Sequence, residues 1–196
     1  GAGSMRRTAD LYVLDDPDNP IIVRWRDETR NSKILKIDFP AASLERAFAA
    51  LDADWPELRE TWERFASVPI RHAGTLGGNV ANASPIGDSM PALIALGARV
   101  ELRRETRVRS LPLEEFYLGY RRTALEPGEF LRAVRVPARP EGVLLRAYKV
   151  SKRFDQDISA VFACFAITVD AGRIVSARIG CGGVAPVPVR ARRTEA

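Results

Sequence analysis

The sequence predicts an α+β fold. A mixed or antiparallel sheet with helices should occupy the chain up to about residue 137, and a small β-rich unit should follow. Three observations lead there. Strand-like and helix-like patterns alternate before Pro137, three long β-patterned segments follow Gly142, and the composition is globular. The chain has 196 residues, 46% apolar and 28% charged. These values exclude wholesale disorder and a collagen-like repeat. The length suits one domain or two small ones.

Residues 11–14 and 21–25 read as strands, separated by the turn-rich Asp15-Asp16-Pro17-Asp18-Asn19-Pro20. Residues 33–39 alternate apolar and polar as a third strand. Residues 43–51 then change to helical spacing, with Leu44, Ala47, Phe48 and Leu51 on one face. Asp54-Trp55-Pro56-Glu57 has the pattern of a capped helix start, and Leu58, Trp62 and Phe65 supply the buried stripe of that helix. A glycine-rich loop follows at residues 71–79. Asp88 is placed to cap a helix over residues 90–96, which Gly97 ends. Residues 98–104 and 106–111 form a hairpin, 114–119 a short helix, and 129–136 a strand closed by Pro137. Strands over 143–150, 158–169 and 173–181 complete the pattern, the last two joined by the tight turn Asp170-Ala171-Gly172. The tail beyond Pro186 is expected to add no closing element. The domain reading is therefore 1–42 as N-terminal strands, 43–137 as the main unit and 143–196 as the β-rich unit.

The chemistry available is narrow. Two cysteines, Cys164 and Cys181, stand apart in apolar surroundings, and an iron–sulfur cluster needs about four thiolates. One histidine, His72, excludes a Ser-His-Asp triad and most metal sites. It reads as a polar support for the glycine loop. Unpaired core thiols fit a reducing cytoplasm. The longest apolar run, residues 158–169, is too short for the roughly 20 residues that cross a bilayer. Gly1-Ala2-Gly3-Ser4-Met5 lacks the apolar stretch of a signal peptide and reads as an expression remnant. Net charge is +5 and uneven: residues 1–98 carry 11 Lys and Arg against 14 Asp and Glu, and residues 99–196 carry 19 against 11. A basic half suits an anionic partner or simply a solvated surface. Specific nucleic-acid binding is not expected, because no aromatic and basic interleaving accompanies the charge.

Gly74-Thr75-Leu76-Gly77-Gly78-Asn79 gathers three glycines, a hydroxyl and an amide. Such a loop can present backbone N–H groups to an anion, though it also suits a tight turn between packed segments. The wider context is more specific. Phe65-Ala66-Ser67-Val68-Pro69-Ile70-Arg71 leads into that loop, and Ser84-Pro85-Ile86-Gly87-Asp88 follows it. Further along stand Pro112-Leu113-Glu114-Glu115-Phe116-Tyr117-Leu118-Gly119-Tyr120 and Pro127-Gly128-Glu129-Phe130-Leu131. Last comes Tyr148-Lys149-Val150-Ser151-Lys152-Arg153-Phe154-Asp155-Gln156-Asp157-Ile158-Ser159. In this order the blocks resemble the FAD-binding domain of the xanthine dehydrogenase family of molybdenum hydroxylases, most closely the bacterial small subunits. The resemblance covers about residues 43–185.

The resemblance implies a flavoprotein that takes electrons from a partner's iron–sulfur centres and passes them to NAD. A molybdenum-cofactor subunit would act on the substrate, a purine by the same likeness. It places Thr75, Leu76, Gly77, Gly78 and Asn79 at the FAD diphosphate, Asp88 and Lys149 as charged contacts near the cofactor, and Phe65 and Leu131 as apolar flanks of the adenine. Residues 151–157 correspond to a mobile charged segment beside the flavin, where NAD approaches. Read without the resemblance, Phe65 and Leu131 are plain core residues, Asp88 a helix cap and Lys149 a solvated strand residue. Relatives carry an earlier glycine-rich segment, of which residues 6–11 are at most an echo, and they continue past Gly183. The chain is therefore expected to be a partial flavin domain that does not turn over xanthine alone. The alternative is a flavin-free fragment serving as a structural or interaction module.

Overall fold

The structure, a computed structural model, describes the backbone of residues 13–14, 21–22 and 34–38 and the whole of residues 43–196. Residues 6–11 and the remaining parts of the three N-terminal strand expectations lie outside the described residues. What is described there agrees with them. Strand β1 (Val13–Leu14) pairs with β2 (Ile21–Ile22), and β3 (Ile34–Asp38) joins a larger sheet.

Helix α1 (Leu44–Asp52) starts at Ser43, whose hydroxyl accepts the Arg46 N–H as an N-cap. Its four expected apolar residues are all buried. The next start lies one residue later than expected. Trp55 stands at the cap position, without a side-chain capping bond, ahead of a 3₁₀ turn (Pro56–Leu58) and α2 (Arg59–Glu63). The stripe Leu58, Trp62 and Phe65 is buried as expected. Phe48 stacks on Trp62, with ring centroids 4.3 Å apart, and Phe65 meets Phe48 edge-on at 5.2 Å. These aromatic contacts fix α1 against α2.

Helices α3 (Val68–Ala73), α4 (Leu76–Ala81) and α5 (Ser89–Ala95) follow. Gly97, at φ +73°, ends α5. Its N–H donates to the Ile94 carbonyl, and the Ala98 N–H donates to the Leu93 carbonyl. The chain passes straight into the hairpin β4 (Arg99–Arg104) and β5 (Arg107–Pro112). The expected helix over 114–119 is shorter. Helix α6 (Leu113–Phe116) gives way to β6 (Tyr117–Gly119), which pairs with β7 (Arg122–Thr123). A local pairing partner three residues on outcompetes a second helical turn. Strand β8 (Phe130–Pro137) then enters between β3 and β4, giving an antiparallel sheet in the order β3-β8-β4-β5.

The second sheet is antiparallel throughout, in the order β12-β11-β10-β9. It contains β9 (Val143–Val150), β10 (Val161–Asp170), β11 (Arg173–Gly182) and β12 (Val189–Arg190). Ala171 and Gly172, both at positive φ, make the two-residue turn between β10 and β11. Strand β10 begins later than expected, because residues 151–159 form a connection of their own. The tail does close the sheet. Strand β12 pairs with β11, and Glu195 accepts the Ile179 N–H while pairing with Arg190 at 2.7 Å. A two-residue strand directly after Pro188 is too short to show a period.

Helix α5 joins the two sheets. All seven of its residues are buried, and it packs against β10 and β11. Contact is backbone to backbone at Gly180, where an added Cβ would lie 1.9 Å from the Pro91 carbonyl oxygen. One buried cluster therefore runs from α1 and α2 through α5 to Leu145, Phe162 and Cys164 of the second sheet. The assembly is α+β.

Two predictions follow from this packing. Gly180→Ala should lower stability by at least the roughly 1–3 kcal/mol of an overpacked core, because backbone cannot give way as a side chain can. Gly172→Ala, with nothing within 4 Å, should cost only the roughly 1–2 kcal/mol of a left-handed alanine. Thermal melts of the two variants should rank them in that order. The second prediction concerns Glu129, enclosed beside Arg109 at 2.6 Å. The hydrogen bond from Arg109 holds its carboxyl down at about 2. A carboxylate depressed on folding adds stability above its unfolded pKa, near 4.5, and loses it as pH falls toward 2. Denaturation midpoints measured from pH 7 to pH 2 should therefore fall less steeply for Glu129→Gln than for the parent.

Candidate functional site

The glycine segment is built differently from an open loop. Its first residue ends α3, Thr75 is a joint, and residues 76–79 open α4. Thr75 is the reason. Its hydroxyl accepts the Gly78 N–H at 3.0 Å and its carbonyl accepts the Asn79 N–H at 3.0 Å, so the residue caps the helix that follows. The Gly74 N–H donates to the Ile70 carbonyl, and the Gly74 carbonyl accepts the Leu44 N–H, which ties the joint to α1. The expectation that the segment's amides face outward is thus corrected for Gly74, Gly78 and Asn79. Leu76 and Gly77 are buried, and Gly78 alone of the six is exposed. Among the described residues, a Cβ on Gly78 would meet only the Thr75 hydroxyl, at 2.9 Å. The space outside Gly78 is open, and a side chain there would fill it and push on the cap. Asn79 is half-buried. Its Oδ1 accepts the Ser89 hydroxyl, which leaves Nδ2 as the donor end.

Asp88 and Lys149 come together. The Lys149 ammonium lies 2.7 Å from Asp88 Oδ2, with both side chains more than nine-tenths enclosed. Asp88 Oδ1 accepts the Ser159 hydroxyl, and Lys149 also donates to the Arg64 carbonyl at 3.3 Å. Asp88 is therefore no side-chain cap of α5, although it stands at the cap position with helical φ and ψ. Its oxygens are taken by Lys149 of the second sheet and by Ser159 of the connection that follows. Lys149 is likewise no solvated strand residue. An ion pair so enclosed repays its desolvation only through added hydrogen bonds, which Ser159 and the Arg64 carbonyl supply.

The same carboxylate closes a loop. Lys149 precedes residues 150–158 and Ser159 follows them, and the Ala160 N–H donates to the Val150 carbonyl at 2.8 Å. Within the loop, Asp157 accepts the Arg153 N–H at 2.7 Å and the Ile158 N–H at 3.0 Å. The Arg153 amide, ahead of the Ile158 amide and the Arg153 side chain, holds the Asp157 carboxyl below its usual range. Residues 152–156 are exposed and present Lys152, Arg153, Phe154, Asp155 and Gln156 to solvent.

Phe65 and Leu131 are each 8% exposed. They belong to the core around Phe48 and to the β8 face opposite Leu102. His72 is exposed on α3, and among the described residues no hydrogen bond joins it to residues 74–79, so it does not support them. Cys164 and Cys181 are free, and burial pushes the Cys164 thiol up to about 12. It is a packing residue at neutral pH. Sequence reasoning missed Arg64, which contacts both Ser151 and Phe154. These contacts span 87 and 90 residues, and no local pattern reports them. Ser159 lay in a quoted block but was given no role.

Residues 35–139 match the model of the FAD binding domain in molybdopterin dehydrogenase, and residues 146–196 match the CO dehydrogenase flavoprotein C-terminal domain. The chain is 41% identical over 186 residues to the carbon monoxide dehydrogenase medium chain of Afipia carboxidovorans, covering 94% of this chain and 59% of that one. It is 35% identical over 156 residues to the xanthine dehydrogenase of Emericella nidulans, covering 79% of this chain and 11% of that one. Among solved structures, a Cu,Mo-CO dehydrogenase superposes with a TM-score of 0.77 at 30% identity, over 88% of this chain and 60% of that one. Quinoline 2-oxidoreductase from Pseudomonas putida 86 does so with 0.72 at 27%, over 83% and 56%. The chain spans about three-fifths of the medium chain and about a tenth of the fungal enzyme. With a family model matched over more than half its length and a fold shared with these flavoproteins, the chain belongs to the FAD-binding domain family of the molybdopterin dehydrogenases.

Proposed function

We propose that the chain binds FAD along the face where α4, Asp88 and residues 150–158 meet, and that it serves as the electron-transfer portion of a molybdenum hydroxylase. The observation that carries this reading is the open, exposed backbone at Gly78, set in the first turn of α4 beside the fixed amide of Asn79. A diphosphate needs backbone that it can approach and donors that do not move. The residues present fit that group. Thr75 shapes the turn, Leu76 and Gly77 bury its inner side, Gly78 gives access, and Asn79 Nδ2 donates. Phe65 and Leu131 support the cofactor's apolar parts from the core. Asp88 and Lys149 act as a fixed pair that holds residues 150–158 at the site's edge. Bound FAD would supply the redox chemistry, accepting electrons and releasing them as hydride. The chain's own part is to hold the cofactor, orient it and exclude water.

The finer parts of the reading follow from the resemblance. The chain divides into an FAD-binding unit to residue 137 and a C-terminal unit from residue 143, in line with the two family matches on either side of that stretch. Iron–sulfur and molybdenum-cofactor subunits are the electron donors, in the cytoplasm. NAD is the acceptor, which the likeness to xanthine dehydrogenases supports and that to the carbon monoxide enzyme does not address. Among the described residues no helix is long and apolar enough to cross a membrane, and no group of acidic, histidine or cysteine side chains could hold a metal ion.

Purified protein should take up FAD and hold it through gel filtration, seen as flavin absorbance released on denaturation. Gly78→Val should weaken FAD binding by about one to two orders of magnitude, as expected when the new side chain bars the charged diphosphate from the single donor Asn79 Nδ2, at roughly 1.5–3 kcal/mol for that hydrogen bond. Its unfolding free energy should fall only by the cost of a disturbed Thr75 cap, about 0.5–2 kcal/mol. Equal FAD affinity in parent and variant would place the cofactor elsewhere, and no uptake by either would favour the flavin-free module. Asp88→Asn should cost about 3–5 kcal/mol by leaving the Lys149 ammonium enclosed without its anion. The double variant Asp88→Asn with Lys149→Met should recover much of that loss, which chemical denaturation of the parent, the single variant and the double variant will measure.

A further inference from the structure

Residues 151–157 are mostly exposed, yet one side chain from the opposite part of the fold holds them in place. Arg64, at the end of α2, donates through Nε to the Phe154 carbonyl at 3.0 Å and through Nη2 to the Ser151 hydroxyl at 3.4 Å. Its guanidinium lies 4.3 Å from the centroid of the Phe154 ring. A third arm, Nη1, reaches Glu60 at 3.3 Å, one turn back along α2, and keeps the side chain extended. The Arg64 side chain is only 12% exposed, although Phe154 is 66% exposed. The Arg64 carbonyl in turn accepts the Lys149 ammonium. One residue thus touches both the base of the loop, through Lys149, and its tip, through Phe154.

We propose that Arg64 is a positioning residue that holds residues 151–157 in a single conformation, so that the edge of the cofactor site is formed before any ligand arrives. The proposal rests on the reading above that these residues border the flavin. A planar guanidinium is required. It bonds two directions of the loop backbone and side chain while its face covers the ring, and a lysine ammonium cannot do both. Without Arg64 the loop keeps its base at Asp88 and its inner turn at Asp157, but its tip is free to open.

Limited trypsin digestion reads this directly, because Lys152 and Arg153 are exposed cleavage sites inside the loop. Cleavage there, followed by mass spectrometry on folded protein, should be about tenfold faster in Arg64→Gln than in the parent, the factor that corresponds to losing one or two such contacts. Arg64→Lys should cleave nearly as fast as Arg64→Gln, since charge alone does not restore the fork. Phe154→Leu, which removes the ring from the other side and leaves α2 intact, should raise the rate about threefold and stands in if Arg64→Gln does not fold. Adding FAD should slow cleavage in the parent and protect Arg64→Gln far less. Equal cleavage in parent, Arg64→Gln and Phe154→Leu would overturn the proposal, as would full rescue by Arg64→Lys. Faster cleavage in Arg64→Gln with no effect of FAD on any variant would leave Arg64 as the holder of the loop and overturn the flavin reading instead.

Discussion

Helix α5 lies in backbone contact with β11, and the rest of the structure is arranged around that approach. Gly180 leaves no Cβ between the strand and the Pro91 carbonyl, so helix and sheet close to a distance no other residue allows. Gly182 extends the same contact, since its Cβ would meet the Pro91 ring at 3.0 Å. A helix buried on all sides has no solvent to satisfy its ends, so both ends must find partners within the protein. The C-terminal end is met by Arg178, which donates to the Ile94 carbonyl at 2.9 Å, and by the glycine stop at Gly97. A cation at that end also suits the helix dipole.

The charges drawn in by this packing form two enclosed networks. At one end of α5, Asp88 binds Lys149 and Ser159. At the other, Glu114 of α6 receives Arg178 at 2.9 Å and Arg190 at 3.3 Å, and Glu195 completes the group by pairing with Arg190. Each network joins the helical half of the chain to the β-rich half. Apolar contacts alone would let α5 slide or rotate against the sheet. Directed ion pairs at both ends fix its position, because a displaced partner would leave a charge buried and unpaired.

The candidate cofactor site inherits this rigidity. Asn79 is held by Ser89 in the first turn of α5, and Asp88 immediately precedes that helix. The α4 turn and the loop over residues 150–158 are therefore both referenced to one end of α5. Basic side chains make up much of the chain's positive half, yet many are committed internally: Arg109 to Glu129, Arg135 to Glu101, and Arg178 and Arg190 to Glu114. Charge count thus overstates how much of the surface is free to attract an anionic partner.

The sequence by itself determined the helices with clear apolar periods, the hairpins with their positive-φ turns, the glycine end of α5 and the order of motif blocks that marks the family. Each of these is settled within a few residues, by local sterics or spacing. It also pointed to the segment 74–79, but as a loop, because glycine density does not reveal that Thr75 would cap a helix and consume two of the amides. Tertiary structure alone decided the rest. Asp88 was legible as a cap and Lys149 as a strand residue, and neither pattern says that they meet across 61 positions in the chain. Arg64 carried no local signal of its role, since its loop partners lie 87 and 90 positions away. The two-residue strand β12 exists only because β11 offers it an edge. In each case the deciding energy comes from groups brought together by the close packing of α5, which no periodicity in a single segment encodes.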